Sequence, residues 1–410
     1  MQQCFIDKLE NGVQVLYAHD SNSLVTHCAL MIRAGTRDEP DGKQGLAHFI
    51  EHTLFKGTKN RKSFHILNHL EIVGGELNAY TTKEETCLHA SVMNPHLERA
   101  AELIADIAFN ANFPEKELEK EKDVIIDEIH AYEDTPYEQI YDDFETLVFA
   151  GHPLGHPILG SIETVQNFKR NDILNYITNH YHTNEMVFAV SGNAGREDVM
   201  RIAEKYFATN KLNGKSLKRK KFNARKALQK TNPKNINQVH YISGCPAYNL
   251  SDEKRYPLIL LNNILGGPGM NSKLNLNIRE KYGYAYSIES GYHAYTDSGL
   301  FHIYFATDEK NFKKVYSLLE KELLKMIEQP ISKRQLVAYK KQIIGQITIS
   351  QEQKLNLMLG MAKSLLYFKK VLSPEEVAEK IESISQKDFM NVAKEILQIK
   401  KHSSLTYLPK

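Results

Sequence analysis

The stretch GLAHFIEHTLFKGT, residues 45–58, places His48 and His52 four apart, with Glu51 directly before the second. On a helix, positions i and i+4 share one face with Cβ atoms about 5–6 Å apart. Both imidazoles can then reach one cation, at bonds of roughly 2.0–2.1 Å if the ion is zinc. Glu51 would stand beside that ion without being obliged to bind it, which is where a base acting on a metal-activated water belongs. Leu46, Ile50, Leu54 and Phe55 supply apolar positions at helical spacing, between Gly45 and Gly57. Two histidines and a glutamate on a helix also fit an ordinary solvated face, so the motif alone leaves metal binding open.

A catalytic zinc takes three protein ligands and keeps one position free. The segment ELEKEKDVIIDEIHAYEDTP offers Glu121 and Glu128, two helical turns apart on one face. Val124, Ile125 and Ile129 border that face, so both carboxylates are expected to point toward packed structure. A carboxylate removed from water needs a partner, and a cation is one. Most other Glu and Lys residues of this helix read as a solvated surface.

The elements that must position these groups follow from the rest of the chain. Its 410 residues suggest two or three domains and a core large enough to need no disulfides. Cys4, Cys28, Cys87 and Cys245 form no C-x-x-C pair, which fits reduced thiols in a cytoplasmic setting. A formal net charge of +2 gives the whole molecule no pull toward nucleic acid or membrane. The start, MQQCFIDKLENGVQVLY, lacks a signal-like apolar run, and no segment reaches the ~18 apolar residues of a membrane span.

A basic run from Lys211 to Asn235 reads as a solvated linker near mid-chain, and the segments on either side of it repeat. The first half runs from a strand-like NAYTTKEETCLHASV into a helix with Asn94 as N-cap and Pro95 at N1, then a long helix after Pro114. The second half gives strands in YAYSIESGYHAYTDSGLFHIYFAT, an amphipathic helix in DEKNFKKVYSLLEKELLKMIEQ, and another after Pro330. Leu118, Ile125, Ile126 and Ile129 match Leu336, Ile343, Ile344 and Ile347 at one constant offset. The expected fold is α+β: two homologous domains, each a mostly antiparallel sheet with helices packed on one side. Their expected limits are 1–210 and 236–410, with 211–235 as the linker.

An H-x-x-E-H motif followed 76 residues after its second histidine by a glutamate resembles the pitrilysin or insulinase family of zinc metallopeptidases, which includes processing peptidases. The resemblance spans essentially the whole chain. It implies His48, His52 and Glu128 as ligands of one Zn²⁺ per chain, Glu51 as the base, and Glu121 as a residue supporting the ligands from behind. LNAYTTKEET resembles the family strand that pairs with an extended peptide, with Asn78, Ala79 and Tyr80 facing the substrate. LGGPGMNSKLNLNIREKYGYAYS resembles a glycine-rich segment followed by an Arg and a Tyr that the second domain contributes to catalysis. These fall on Arg279 and Tyr286, although Tyr284 stands where Leu is usual and keeps the choice of tyrosine open. The second half has no zinc motif, and Gln346 occupies the position matching Glu128.

The resemblance therefore implies a zinc-dependent endopeptidase that cleaves unfolded peptides. The alternative is a non-catalytic partner subunit of a heteromeric processing peptidase. It also implies two chains enclosing a chamber, as a homodimer or with a different partner chain.

Overall fold

The computed structural model describes residues 3–209, 214 and 218–410. The chain forms two compact units that are not contiguous in sequence. The first comprises residues 1–131, 156–219 and 350–373, and the second comprises 132–155, 220–349 and 374–410. Both are α+β.

In chain order the first half contributes β1 (Gln3–Lys8), β2 (Gln14–His19), β3 (Val25–Ile32), α1 (Leu46–Leu54), α2 (Ser63–Glu71), β4 (Glu76–Thr81), β5 (Thr86–Met93), α3 (Leu97–Asn110), α4 (Glu115–Glu133), α5 (Pro136–Val148), α6 (Ile162–Gln166), α7 (Arg170–His180), β6 (Met186–Gly192) and α8 (Arg196–Phe207). The second half adds β7 (Gln229–Lys234), β8 (Val239–Ala247), α9 (Arg255–Gly266), β9 (Ala285–Ala294), β10 (Gly299–Thr307), α10 (Phe312–Glu328), α11 (Lys333–Gln351), α12 (Lys354–Phe368), α13 (Pro374–Glu382), α14 (Gln386–Ile396) and β11 (Ser403–Pro409).

The first sheet has the order β1-β2-β6-β3-β5-β4, and the second β7-β11-β8-β10-β9. Every neighbouring pair is antiparallel except β2 with β6 and β7 with β11. Aligning those two parallel pairs superposes the remaining strand order, so the repeat in the sequence is a repeat of topology. In each sheet the strand before the first long amphipathic helix pairs with an edge strand, β4 in one and β9 in the other.

Strand β3 shows why the sheets are held from both sides. Cys28, Leu30 and Ile32 face a core built with Phe49 and Ile50 of α1 and Leu103, Ile104 and Ile107 of α3. Ala29 and Met31 alternate onto the other face, where Met358, Ala362, Leu365 and Leu366 of α12 cover them. In the second unit Phe301, Ile303 and Phe305 of β10 meet α9 and α10, while Leu300 and Tyr304 lie under Ile140, Phe144 and Val148 of α5. Each unit thus has its own helices on one face of the sheet and, on the other, one helix from the other half of the sequence. Strands covered on both faces read as continuous apolar runs rather than clean alternation. The helix periodicity predicts that α5 and α12 bury a face but not which sheet receives it.

Three local expectations are corrected. Asn94 does not cap α3; its amide donates to Ser23 O at 2.6 Å and accepts from Thr26 Oγ1 at 2.7 Å, and a short 3-10 turn leads into the helix. Val124 is 49% exposed, so the buried stripe of α4 is Leu118, Glu121, Ile125 and Ile129. The proposed linker is not wholly solvated. Its first residues lie largely outside the described ones, but residues 229–234 form β7, and the Arg219 guanidinium is buried against Asp38 and Glu84 at 2.8 and 2.9 Å. Basic composition marks a surface only where no carboxylate is waiting inside.

The connection from α1 to α2 is fixed by Asp106 at the end of α3. Its carboxylate, 3% exposed, accepts from Thr58, Asn60, Arg61 and Asn110. Burial alone would raise its pKa, but these donors outweigh it and hold the carboxyl below its ordinary value. In acid the unfolded chain therefore binds the proton first. The contribution is present above roughly pH 4 and is lost as pH falls through the lower folded-state value. Asp106→Asn is expected to destabilise by about 3 kcal/mol at neutral pH and to flatten this acid limb. Urea midpoints measured at a series of pH values check both.

Candidate active site

Helix α1 carries the motif and begins at an unusual corner. Gly45 has φ +91°, and a Cβ there would lie 2.5 Å from Leu159 O, so both conformation and space require glycine. The buried Glu39 carboxylate accepts the N–H of Gly45 at 3.0 Å and of Ala47 at 2.8 Å. These bonds satisfy two of the first free N–H groups of the helix, and burial pushes the Glu39 carboxyl well up against their pull. Leu46, Phe49, Ile50 and Leu54 then bury the far face, which turns His48, Glu51 and His52 away from the core.

The His48 and His52 rings lie 4.6 Å apart between centroids. Helix α4 brings Glu128 to them, with Oε2 at 3.8 Å from His48 Nε2 and 3.7 Å from His52 Nε2. Among the described residues this is the one cluster of three His, Cys, Asp or Glu side chains whose donor atoms all lie within 4.8 Å of one another. Burial pulls His48 down to about 3, with His52 adding to the effect, so its ring is neutral and its contact with Glu128 is no ion pair. The same Glu128 Oε2 is buried without a hydrogen-bond partner. A tetrahedral ion with bonds of about 2.0–2.2 Å holds donors about 3.3–3.5 Å apart, a few tenths of an ångström from what is found. Two imidazole nitrogens and an orphaned carboxylate oxygen at this spacing fit a zinc ion.

Glu121, 4% exposed, stands behind the site. Its Oε1 lies 3.0 Å from His52 Nδ1, and its Oε2 lies 2.6 Å from Lys56 Nζ. A donated Nδ1–H leaves the Nε2 lone pair of His52 facing Glu128, the arrangement that fixes ring and tautomer in metal-binding histidines. Burial would raise Glu121, but His52 and Lys56 outweigh it and hold the carboxyl below its ordinary value. Burial would lower His52, and the hydrogen bond to Glu121 with the charges of Glu128, Glu121 and Glu51 raises it instead. Glu51 is half-buried. Burial lifts its pKa against the pull of the Thr81 hydroxyl and His52, and Glu128 lifts it further. A raised carboxyl is a stronger base at neutral pH.

Thr81 ends β4, the edge strand, so the motif lies beside a free sheet edge. The Ala79 N–H is taken by the Asn78 side chain at 2.8 Å and so does not bond β5. Antiparallel residues alternate which edge they address, so Leu77, Ala79 and Thr81 present their backbone outward, while the Asn78 and Tyr80 backbones address β5. Of the three strand residues singled out, only Ala79 offers main-chain groups at the free edge. Asn78 and Tyr80 lie across from His89 and Cys87 in the register.

Arg279 and Tyr286 belong to the second unit. Arg279 sits in a π-helical turn, Asn275–Glu280, with its guanidinium 5.8 Å from the Tyr286 ring centre. Both line a cleft with Gly266, Gly267 and Pro268 along the edge strand β9. Tyr286 is 79% exposed, whereas Tyr284 packs against the core and stacks on Tyr282 at 5.6 Å. Where the second unit repeats the α1–α4 contact, Asn263 of α9 donates to Gln346 of α11 at 2.7 Å, a neutral pair with no metal donor set.

Sequence reasoning missed Glu39, Lys56 and Thr81. Lys56 lies one turn beyond His52, and that spacing was a usable signal. Glu39 and Thr81 reach the motif only through tertiary contact.

Residues 14–162 match the model of the insulinase family, peptidase family M16, and residues 167–343 match the peptidase M16 inactive domain. A Rickettsia felis protein described as an uncharacterized zinc protease is 34% identical over 396 residues, covering 95% of this chain and 94% of its own. This chain belongs to the insulinase family of peptidases. A second family member, uncharacterized zinc protease YmxG of Bacillus subtilis, is 30% identical over 389 residues, covering 94% of each chain. The fold matches a solved protease from Helicobacter pylori with TM-score 0.91 over 100% of both chains at 22% identity. It also matches a peptidase M16 inactive domain from Pseudomonas fluorescens with TM-score 0.91 at 17% identity, covering 100% of this chain and 98% of that one. The insulinase-family relatives are thus zinc proteases by description, and the family's inactive-domain model falls on the part of this chain without the metal motif. Among the described residues no helix is long and apolar enough to cross a membrane.

Proposed function

We propose that this chain is a zinc-dependent endopeptidase that cleaves unfolded peptides, using the site on α1 and α4. The observation that carries the reading is the meeting of His48, His52 and Glu128 beside Glu51 at a free sheet edge. Zinc held by those three residues would supply Lewis acidity toward the scissile carbonyl and the attacking water. Glu51 takes a proton from that water and passes it to the leaving amine. Glu121 and Lys56 hold the His52 ring in place. The outward backbones of Leu77, Ala79 and Thr81 pair with the peptide, which selects chains already extended.

Arg279 and Tyr286 take part by holding the substrate backbone and donating to the developing oxyanion. We assign them to a partner copy in a homodimer, which the 79% exposure of Tyr286 supports. The purified protein should carry about one zinc per chain and cleave unstructured peptides, with activity lost to a chelator and restored by zinc. Failure to bind zinc, together with cleavage of nothing, would instead favour a partner subunit without activity of its own.

A further inference from the structure

A cleft of about 470 Å³ straddles the start of the free β4 edge, outside the metal site. Phe55, Leu67 and Leu70 form the wall on the helix side, and Leu355 of α12 with His89 forms the opposite wall. Gly75 lines its floor, where a Cβ would lie 2.7 Å from Val92 Cγ1. Helix α2 leaves Leu67 at 53% exposure in this cleft. A large apolar side chain so exposed, beside Phe55, Leu77 and Leu355, marks a binding surface. Two carboxylates, Glu71 and Glu76, stand on its rim.

The geometry points to this cleft as a side-chain subsite for the same peptide strand, selecting an apolar residue about four positions C-terminal to the bond cleaved. This rests on the reading of the chain as a peptidase. Its position follows from the strand. Helix α1, which carries the motif, packs against β4, and Leu77, which lines the cleft, lies four residues before the strand's last residue, Thr81, about 13 Å at the rise of an extended chain. A strand added to the free edge continues the antiparallel pairing of β4 with β5, the more stable arrangement. It then runs from the metal site toward Glu76, which puts the cleft on the C-terminal side. Successive side chains of an added strand point to opposite faces, so one enters against Leu67 and Leu70 while the next faces Leu355. The rim carboxylates repel an acidic residue at that place.

The test compares two labelled, unstructured peptides that differ only in carrying Leu or Asp at that position. Dissociation constants come from fluorescence anisotropy with Glu51→Gln, and kcat/KM comes from the wild-type zinc enzyme. The Leu peptide is expected to be favoured about tenfold in both measures. Leu67→Lys, added to each background, should reduce the preference to less than about twofold. Leu67 is half exposed, and a misfolded variant would weaken both peptides alike, so the ratio isolates the cleft. A ratio near one in the wild type, or an unchanged ratio with Leu67→Lys, overturns the subsite. A preserved binding ratio with neither peptide cleaved leaves the subsite standing and removes the peptidase reading instead.

Discussion

Glu51→Gln is expected to keep the bound metal and to lower kcat/KM by about 10³-fold or more, within the range of a lost general base. The substitution preserves shape on a half-buried helix face and touches none of the three donor atoms. It removes only the group able to accept a proton beside them. Burial and Glu128 raise the Glu51 carboxyl above its ordinary range, which prepares it as a base but leaves it a poor ligand competitor. Metal content is read by elemental analysis and rate by a quenched peptide. Cleavage at the wild-type rate would remove Glu51 from its role, and loss of zinc alongside activity would make it a ligand instead.

Glu128→Gln should weaken zinc binding by more than the ~10–100-fold expected of removing a supporting partner such as Glu121. The sign of its effect on the metal-free protein is the sharper test. If Glu128 were half of a structural ion pair with His48, losing it would destabilise the fold. His48 is neutral at physiological pH, with its pKa down at about 3, and Glu128 Oε2 has no hydrogen-bond donor. Its remaining contact, with His52 at 3.7 Å, is half exposed and worth little, so the metal-free variant should melt close to the metal-free wild type, while the zinc-dependent rise in melting temperature disappears. A variant that melts several degrees lower without zinc would make the trio a structural contact rather than a metal centre.

Much of this site is local, and local spacing is legible. An α-helix fixes the angle between successive residues, so His48, Glu51 and His52 share a face whatever the helix packs against. Glu121 and Glu128 line up on α4 for the same reason, and the constant offset between the halves follows from two copies of one helix pair. The limits of that reasoning show in Val124, which fits the apolar composition of α4 but falls outside the stripe the neighbours bury. Asn94 has the chemistry of a cap yet is engaged by Ser23 and Thr26 across the fold.

The amino-acid order by itself determined the residue types of the candidate metal site, their helical register, the two-copy architecture and the family. Tertiary structure decided which groups attend them: Glu39 on the start of α1, Lys56 behind Glu121, Thr81 against Glu51, and Arg219 against Asp38 and Glu84. It also decided that α5 and α12 each cover the sheet of the other half. The reason is physical. Backbone geometry ties neighbours along the chain to one another, whereas the choice of packing partner for an apolar face or a charge depends on every other surface competing for it.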